Sequence, residues 1–335
     1  MSEDRSLLRV GTRGSALAMA QSGRAAEDIA GADGFELVQV RTHGDKDRTS
    51  PLAQIGGTGV FVTAVREALL AGEVDVVVHS AKDLPTAPVP GIALGCVPER
   101  ADPRDALCAR DGLTLAQLPR HAKVGTGSPR RAAQLRRARP DLEVVDIRGN
   151  VETRLARALG QDADLDAVVL AAAGLQRLGR DEVISELLSP DVLLPAPAQG
   201  ALAIECPEPG TSPEDGGLSP FADGLSAADH RPTRAAVAAE RALLRTLEAG
   251  CSAPVGALGT LGEDGTLTLR GLAISEDGTS VFEGSGTAPV DLEDPLVLVA
   301  DAERLGQDLA ADLLERGAGS VLAGGDDPTS DATTS

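Results

Sequence analysis

Cys251 stands in Glu-Ala-Gly-Cys-Ser-Ala-Pro-Val-Gly, directly after a long helical pattern and far downstream of a set of arginines placed where helices begin. A guanidinium in a first helical turn faces the positive end of the helix dipole, at a cost of about 0.3–1 kcal/mol when exposed. Repeated cations in that unfavourable place, with one thiol on another segment, point to a covalently held organic group bearing several negative charges. A cysteine alone carries no such meaning, since most unpaired ones are small buried hydrophobes. The helix before Cys251 presents its negative end, which hinders thiolate formation. That disfavours a nucleophile used in every turnover and suits a single attachment event.

Val124-Gly-Thr126-Gly-Ser128-Pro-Arg130-Arg131 reads as a strand entering a glycine turn, with Ser128 as N-cap and Pro129 in the first helical position. Free backbone N–H groups there bind anions. Arg130 and Arg131 are either a bidentate clamp for carboxylate or phosphate, or a tolerated surface pair. The absence of a Walker-type lysine argues against a nucleoside triphosphate. The pattern recurs: Arg13 precedes the cap Ser15, Arg148 and Arg154 flank the cap Asn150, and Arg177 follows a strand ending near Ala171. All these sites fall at the carboxyl ends of parallel strands, where open α/β sheets bind ligands.

Val78-His-Ser80-Ala-Lys82-Asp83-Leu-Pro85 ends a strand on the same edge. Asp83 reads equally as a turn cap before Pro85 or as a carboxylate in the arginine-lined cleft, handling protons or a developing cation. Lys82, one of three lysines with Lys46 and Lys123, would be a point charge for a substrate carboxylate.

The elements that must position these residues alternate short apolar runs with helical patterns, as a parallel α/β sheet requires. Strands are expected at Leu7–Gly11, Glu36–Thr42 and Asp75–His79, with helices from Ser15 to about Ala30 and from Val60 to Ala71. A second set comprises Lys123–Gly125, a helix from Pro129, Glu143–Ile147, Val151–Leu159 and Ala167–Leu170, an architectural duplication without sequence repeat. Ala201–Cys206 is a further strand, Pro207–Gly224 a solvated acidic insertion, and Pro232–Ala249 a helix capped by Gly250. Then Val255–Leu261, Thr266–Ile274 and Ser280–Glu283 suggest an antiparallel meander, followed by an amphipathic helix over Pro295–Arg316 and a disordered tail.

Composition narrows the function classes. The 335 residues carry 51 acidic against 31 basic side chains, a formal net charge of −20, and aromatics are 1%. Such a surface repels nucleic acid and anionic membranes and offers no stacking platform. Cys96, Cys108, Cys206 and Cys251 form no CxxC pair, so neither a metal site nor a disulfide framework is expected. The amino terminus lacks a secretory pattern and no apolar run spans a bilayer, so the expected location is the cytoplasm. Acidic, lysine-poor composition reads as adaptation to a salty one.

Arg13-Gly-Ser15, His79-Ser80-Ala-Lys82-Asp83, Gly125-Thr126-Gly-Ser128-Pro-Arg130-Arg131, Arg148-Gly-Asn150, Ala173-Gly-Leu-Gln-Arg177, Pro197-Ala-Gln-Gly200 and Gly250-Cys251 together resemble the porphobilinogen deaminase (hydroxymethylbilane synthase) family. The resemblance runs in order over nearly the whole chain, except the 207–224 insertion and the tail. It implies an α/β protein with two periplasmic-binding-protein-like lobes and a third small α+β domain. Residues 1–100 with about 200–226 would form lobe one, 101–199 lobe two, 227–323 the cofactor-carrying domain and 324–335 a disordered tail. It further implies a dipyrromethane cofactor in thioether linkage to Cys251 and porphobilinogen as substrate, with four units joined head to tail before hydroxymethylbilane is released into tetrapyrrole biosynthesis. Asp83 would be the catalytic carboxylate. Arg13, Ser15, Ser80, Lys82, Thr126, Ser128, Arg130, Arg131, Arg148, Arg154 and Arg177 would bind cofactor and substrate carboxylates.

One departure concerns Leu52-Ala-Gln-Ile-Gly-Gly-Thr-Gly-Val-Phe61, where Gln54 and Thr58 replace two lysines frequent in the family. Gly56, Gly57, Gly59 and Phe61 suggest a mobile lid over the cleft. A non-catalytic two-lobed binding protein for a small polycarboxylate is the alternative, with Cys251 then structural. Nothing in the sequence demands more than a monomer.

Overall fold

Val76, Val77 and Val78 are buried in succession because their strand lies inside a sheet covered on both faces. The computed structural model describes residues 7–40, 57–208, 221–249 and 253–322. The first sheet contains β1 (Leu8–Thr12), β2 (Phe35–Gln39), β3 (Val76–Ser80) and β4 (Ile92–Cys96). The chain then crosses to a second sheet of β5 (Asp105–Ala109), β6 (Lys123–Gly125), β7 (Glu143–Val145), β8 (Ala167–Ala171) and β9 (Glu186–Leu187), and returns to the first as β10 (Leu202–Pro207).

The first sheet has the order β2-β1-β3-β10-β4 and the second β7-β6-β8-β5-β9. In each, three parallel strands are followed by one antiparallel strand contributed across the crossing: β10 pairs antiparallel with β3 and β4, β5 with β8 and β9. The architectural duplication expected from the pattern is therefore present. Helices α1 (Ala16–Ala30), α2 (Gly57–Leu70), α3 (Pro129–Ala138), α4 (Val151–Leu159) and α5 (Ala172–Arg177) connect the parallel strands or follow them. Ser15, Ser128 and Asn150 cap α1, α3 and α4 by accepting from backbone N–H groups, as their types and positions predict.

The third unit is a meander of β11 (Val255–Leu261), β12 (Thr266–Ile274) and β13 (Val281–Pro289), preceded by α6 (Ala222–Ala228) and α7 (Arg231–Thr246) and followed by α8 (Pro295–Glu315) and α9 (Gly319–Leu322). Leu243 of α7 and Leu298, Leu309 and Leu313 of α8 bury against Leu267 and Leu269 of β12. Gly306 permits that packing, since a Cβ there would lie 2.2 Å from the Ala239 carbonyl oxygen. The expected class, α/β with two lobes and a small α+β unit, is the one adopted.

Several expectations need correction. Strands β4, β5 and β9 and helix α6 went unforeseen. Residues 222–224 belong to α6, whose Leu225 is buried with Ile29 of α1, so they are not solvated insertion; 209–220 lie outside the described residues. Strand β13 runs six residues past the expected Glu283, because Gly284, Ser285, Gly286 and Thr287 pair with β12 despite weak strand propensity. Helix α7 ends at Thr246, with Glu248 at φ 51 turning the chain away, before the expected cap Gly250, which lies outside the described residues.

Candidate active site

Asp105 opens β5 and is fully buried at the junction of the two crossing segments. Its carboxylate accepts from Arg130 Nη2 (2.8 Å), Arg131 Nε (2.9 Å) and Gln199 Nε2 (2.8 Å). Arg130 also donates to the Leu194 carbonyl (2.6 Å) and Arg131 to that of Val169 (3.1 Å). Burial raises the Asp105 carboxyl pKa, but the charges of Arg130 and Arg131 with the Gln199 bond more than reverse this and hold it well below the carboxylate range. The two arginines, only 3% and 6% exposed, are not a surface pair. Their first partner is internal.

Gln199 and Gly200 lie where the second crossing segment meets the first. Gly200 has φ 88, and a Cβ there would sit 2.5 Å from the Ala101 carbonyl oxygen, so only glycine lets the two segments touch. Ala198, at φ 62, is held by its N–H donating to the buried Glu240 carboxylate (2.5 Å), which also pairs with Arg100 (2.6 Å).

Lys82 and Asp83 form a single 3-10 turn at the carboxyl end of β3. Lys82 Nζ donates to Gln199 Oε1 (3.2 Å), and burial lowers its pKa to about 8, opposed by Asp83 and assisted by Arg131. Asp83 is exposed, and among the described residues its carboxylate accepts no hydrogen bond, so it is not a side-chain cap of the turn. Arg154, half-buried on α4, has its pKa lowered by burial and then by Arg131. Arg177 donates to the Gly200 carbonyl (2.6 Å), with burial and then Arg24 lowering its pKa to about 10.

Among the described residues, the buried Nε groups of Arg130 and Arg154 find no acceptor. An unpaired buried donor costs about 1–3 kcal/mol, more when charged. A ligand bearing carboxylates supplies the acceptors these guanidinium groups lack, so the residues present fit an anionic dipyrromethane.

The structure thus brings together Lys82, Asp83, Arg130, Arg131 and Arg154, with Arg177 beside the crossing. Arg148 stands apart, largely exposed and 3.7 Å from Asp146. Arg13 is exposed at the end of β1. Ser15 and Ser128 serve as caps, Thr126 Oγ1 accepts from the Ser128 N–H (3.2 Å), and Ser80 donates to Gln21 Oε1 (3.1 Å). Gly57, Thr58, Gly59 and Phe61 lie in the first turns of α2, which begins before the expected Val60. Glycine costs about 1 kcal/mol per residue in a helix without forbidding it, and buried Val62, Val65 and Leu69 supply the apolar face. Gln54, Gly56 and Cys251 lie outside the described residues.

Two contributors escaped sequence reasoning. Asp105 follows Pro-Arg in a charged stretch, and only the apolar Ala-Leu-Cys-Ala after it hinted at a strand. Gln199 stood in a noted motif without a role. A groove of about 610 Å³, lined by Gln134, Arg137, Asp191, Leu194, Arg270 and Glu283, lies toward the carboxyl end of α3, and Leu194, whose carbonyl accepts from Arg130, joins it to this cluster.

A family model described as porphobilinogen deaminase, dipyromethane cofactor binding domain, matches residues 8–212, and one described as porphobilinogen deaminase, C-terminal domain, matches residues 234–315. The chain belongs to the porphobilinogen deaminase family. It is an enzyme of the hydroxymethylbilane synthase class, and the cofactor-binding match spans both sheets around Asp105. The chain is 54% identical to the porphobilinogen deaminase of Leifsonia xyli over 93% of each chain. It is 51% identical to that of Thermobifida fusca, covering 94% of this chain and 95% of the relative. With porphobilinogen deaminase 1 of Streptomyces coelicolor it shares 50%, over 94% and 97%. Among solved structures, a YaeC-family lipoprotein from Enterococcus faecalis is similar over 67% of this chain and 91% of its own, at 13% identity and a TM-score of 0.34. Membership in the porphobilinogen deaminase family sets aside the non-catalytic binding protein. Among the described residues no helix is long and apolar enough to cross a membrane, and no cluster suits a metal ion.

Proposed function

We propose that the chain deaminates porphobilinogen and joins four molecules head to tail on a dipyrromethane held by a thioether to Cys251, water then releasing linear hydroxymethylbilane for tetrapyrrole synthesis. The observation that carries this reading is an exposed carboxylate, Asp83, beside a cation cluster in which Arg130 and Arg154 keep donors that are unpaired among the described residues. When bound, dipyrromethane supplies the electron-rich pyrrole carbon that takes up the next unit. Asp83 would stabilise the positive charge that develops on the incoming pyrrole as ammonia leaves, and would take the proton lost from the accepting pyrrole carbon when the new C–C bond forms. Lys82, Arg131, Arg154 and Arg177 neutralise acetate and propionate groups, and Arg13 and Arg148 extend the positive rim as the chain of pyrroles grows. Ser15, Ser80, Thr126 and Ser128 add hydroxyl and backbone donors at the strand ends.

The same reading takes 1–100 with about 200–226 as lobe one, 101–199 as lobe two and 227–323 as the domain that carries the cofactor. It makes the protein a cytoplasmic monomer without nucleic-acid or membrane partners, its acidic surface suited to a salty interior. Intact-mass measurement tests the central claim. Active purified enzyme should exceed the sequence mass by one dipyrromethane and stain with acidified Ehrlich reagent, whereas folded Cys251→Ala should have the bare mass and no activity. Full activity at the bare mass would overturn the attachment.

A further inference from the structure

Arg241, on α7 of the third unit, reaches the turn that carries Asp83. Its Nη1 donates to the carbonyl oxygens of Ala81 (3.3 Å) and Leu84 (2.8 Å), and its Nη2 to that of Pro85 (2.7 Å). These acceptors bracket Lys82 and Asp83 on both sides. A guanidinium is a planar fork with fixed donor directions, so three carbonyls bound to it fix the tilt of the turn as well as its height. The turn has little restraint of its own, since its closing bond, Leu84 N–H to the Ala81 carbonyl, is 3.3 Å long.

Val237 precedes Arg241 by one helical turn on the same face of α7 and packs with Ala81, Leu84, Ala198 and Ala201. Docking of α7 has other fastenings. Arg234 binds Asp229 (2.8 Å) and the Gly95 carbonyl (3.0 Å), and Glu240 pairs with Arg100. Neither touches the Asp83 turn. Beyond Arg241, α7 continues to Thr246, shortly before the segment that holds Cys251.

We propose that Arg241 is a positioning residue that fastens the Asp83 turn to α7, so that one rigid helix sets the height and tilt of the carboxylate. The inference rests on Asp83 being the catalytic carboxylate.

The test uses the holoenzyme with Arg241→Ala, Arg241→Lys, Asp83→Asn and the Asp83→Asn/Arg241→Ala double variant. Misplacing a reacting group by an ångström costs about 10²-fold. Arg241→Ala should therefore keep the dipyrromethane mass but lose about that much in kcat, with KM within about threefold of wild type. Arg241→Lys, which retains one donor head, should recover part of the loss. Amide hydrogen exchange should quicken in 81–86 and stay unchanged in α7. The double variant should be no slower than Asp83→Asn alone, because the brace acts through the carboxylate. Wild-type kcat in folded Arg241→Ala, unchanged exchange in 81–86, or losses that multiply in the double variant would each overturn the proposal. Asp83→Asn with near-normal turnover would instead overturn the catalytic assignment, and the exchange result would still report on the brace. Should Arg241→Ala not fold, Arg241→Lys carries the same comparisons.

Discussion

Lys82 and Arg131 donate to the same oxygen: Gln199 Oε1 lies 3.2 Å from Lys82 Nζ and 3.4 Å from Arg131 Nη2. Lys82 follows a strand of the first sheet and Arg131 opens a helix on the second. One neutral amide in the crossing segment therefore tethers two like charges from different lobes, while its own N–H groups are fixed by Asp105 and the Pro103 carbonyl (2.8 Å each). Positive charge is thereby concentrated at one place in a chain whose net charge is −20.

Lys82 should set an alkaline limit on substrate capture. With its pKa lowered to about 8, the ammonium is charged below that pH and attracts a carboxylate, and the attraction fades above it. The profile of kcat/KM should fall near pH 8, and Lys82→Arg should move the fall upward. A limb that stays in place in the variant belongs to another group. The sign for stability is opposite to that of a stabilising partner. The folded pKa lies below the ordinary 10.5, so the unfolded chain binds more protons between about 8 and 10.5, and this residue's contribution improves as pH rises through that window.

Asp83→Asn preserves size and removes charge. Turnover should drop about 10²–10³-fold, as for loss of other charge-stabilising groups, while the cofactor mass and melting temperature stay near wild type. Rapid single-turnover kinetics in the variant would reduce Asp83 to a turn residue.

Asp105→Asn leaves Arg130 and Arg131 buried without their counter-charge. Removing one partner from a buried ion cluster costs about 3–5 kcal/mol, so the urea midpoint should fall sharply at unchanged slope. A midpoint shift equivalent to less than about 1 kcal/mol, the scale of an exposed pair, would mean that solvent reaches the cluster.

The net charge of −20 should make the fold respond to counterions. Screening relieves repulsion among acidic faces, while ion pairs in the cleft are screened less where water is excluded. Melting temperature should rise across a KCl series to molar concentration, with only a modest increase in KM. A flat or falling melting temperature would separate the acidic composition from salt adaptation.

What could be read from the sequence followed local signals. Ser15, Ser128 and Asn150 were recognisable as caps because capping depends on residue type and a few neighbours. Strands β11 and β12 have the expected limits because Gly-containing turns bound them. The antiparallel strand β5 was missed because Asp-Ala-Leu-Cys-Ala is short, begins with a charge and is rich in alanine. Its place is set by β8 and β9, distant in sequence. For the same reason Arg130 and Arg131 looked like a cleft clamp or a surface pair, when their common partner Asp105 enters from a segment 25 residues away from Arg130. Helix α2 begins before the expected Val60 because its apolar side outweighs local glycine propensity.

The interleaved strand orders impose a timetable on synthesis. In the second sheet, β5 is made before the β8 and β9 that flank it, so that sheet can be completed as its residues emerge from the ribosome. In the first, β10 must slide between β3 and β4, and it is not translated until the whole of the second sheet has been made. The nascent chain therefore carries two unpaired edges, those of β3 and β4, for more than a hundred residues of elongation. The sheet encoded first is closed last, and a chain cut short before residue 202 cannot close it at all.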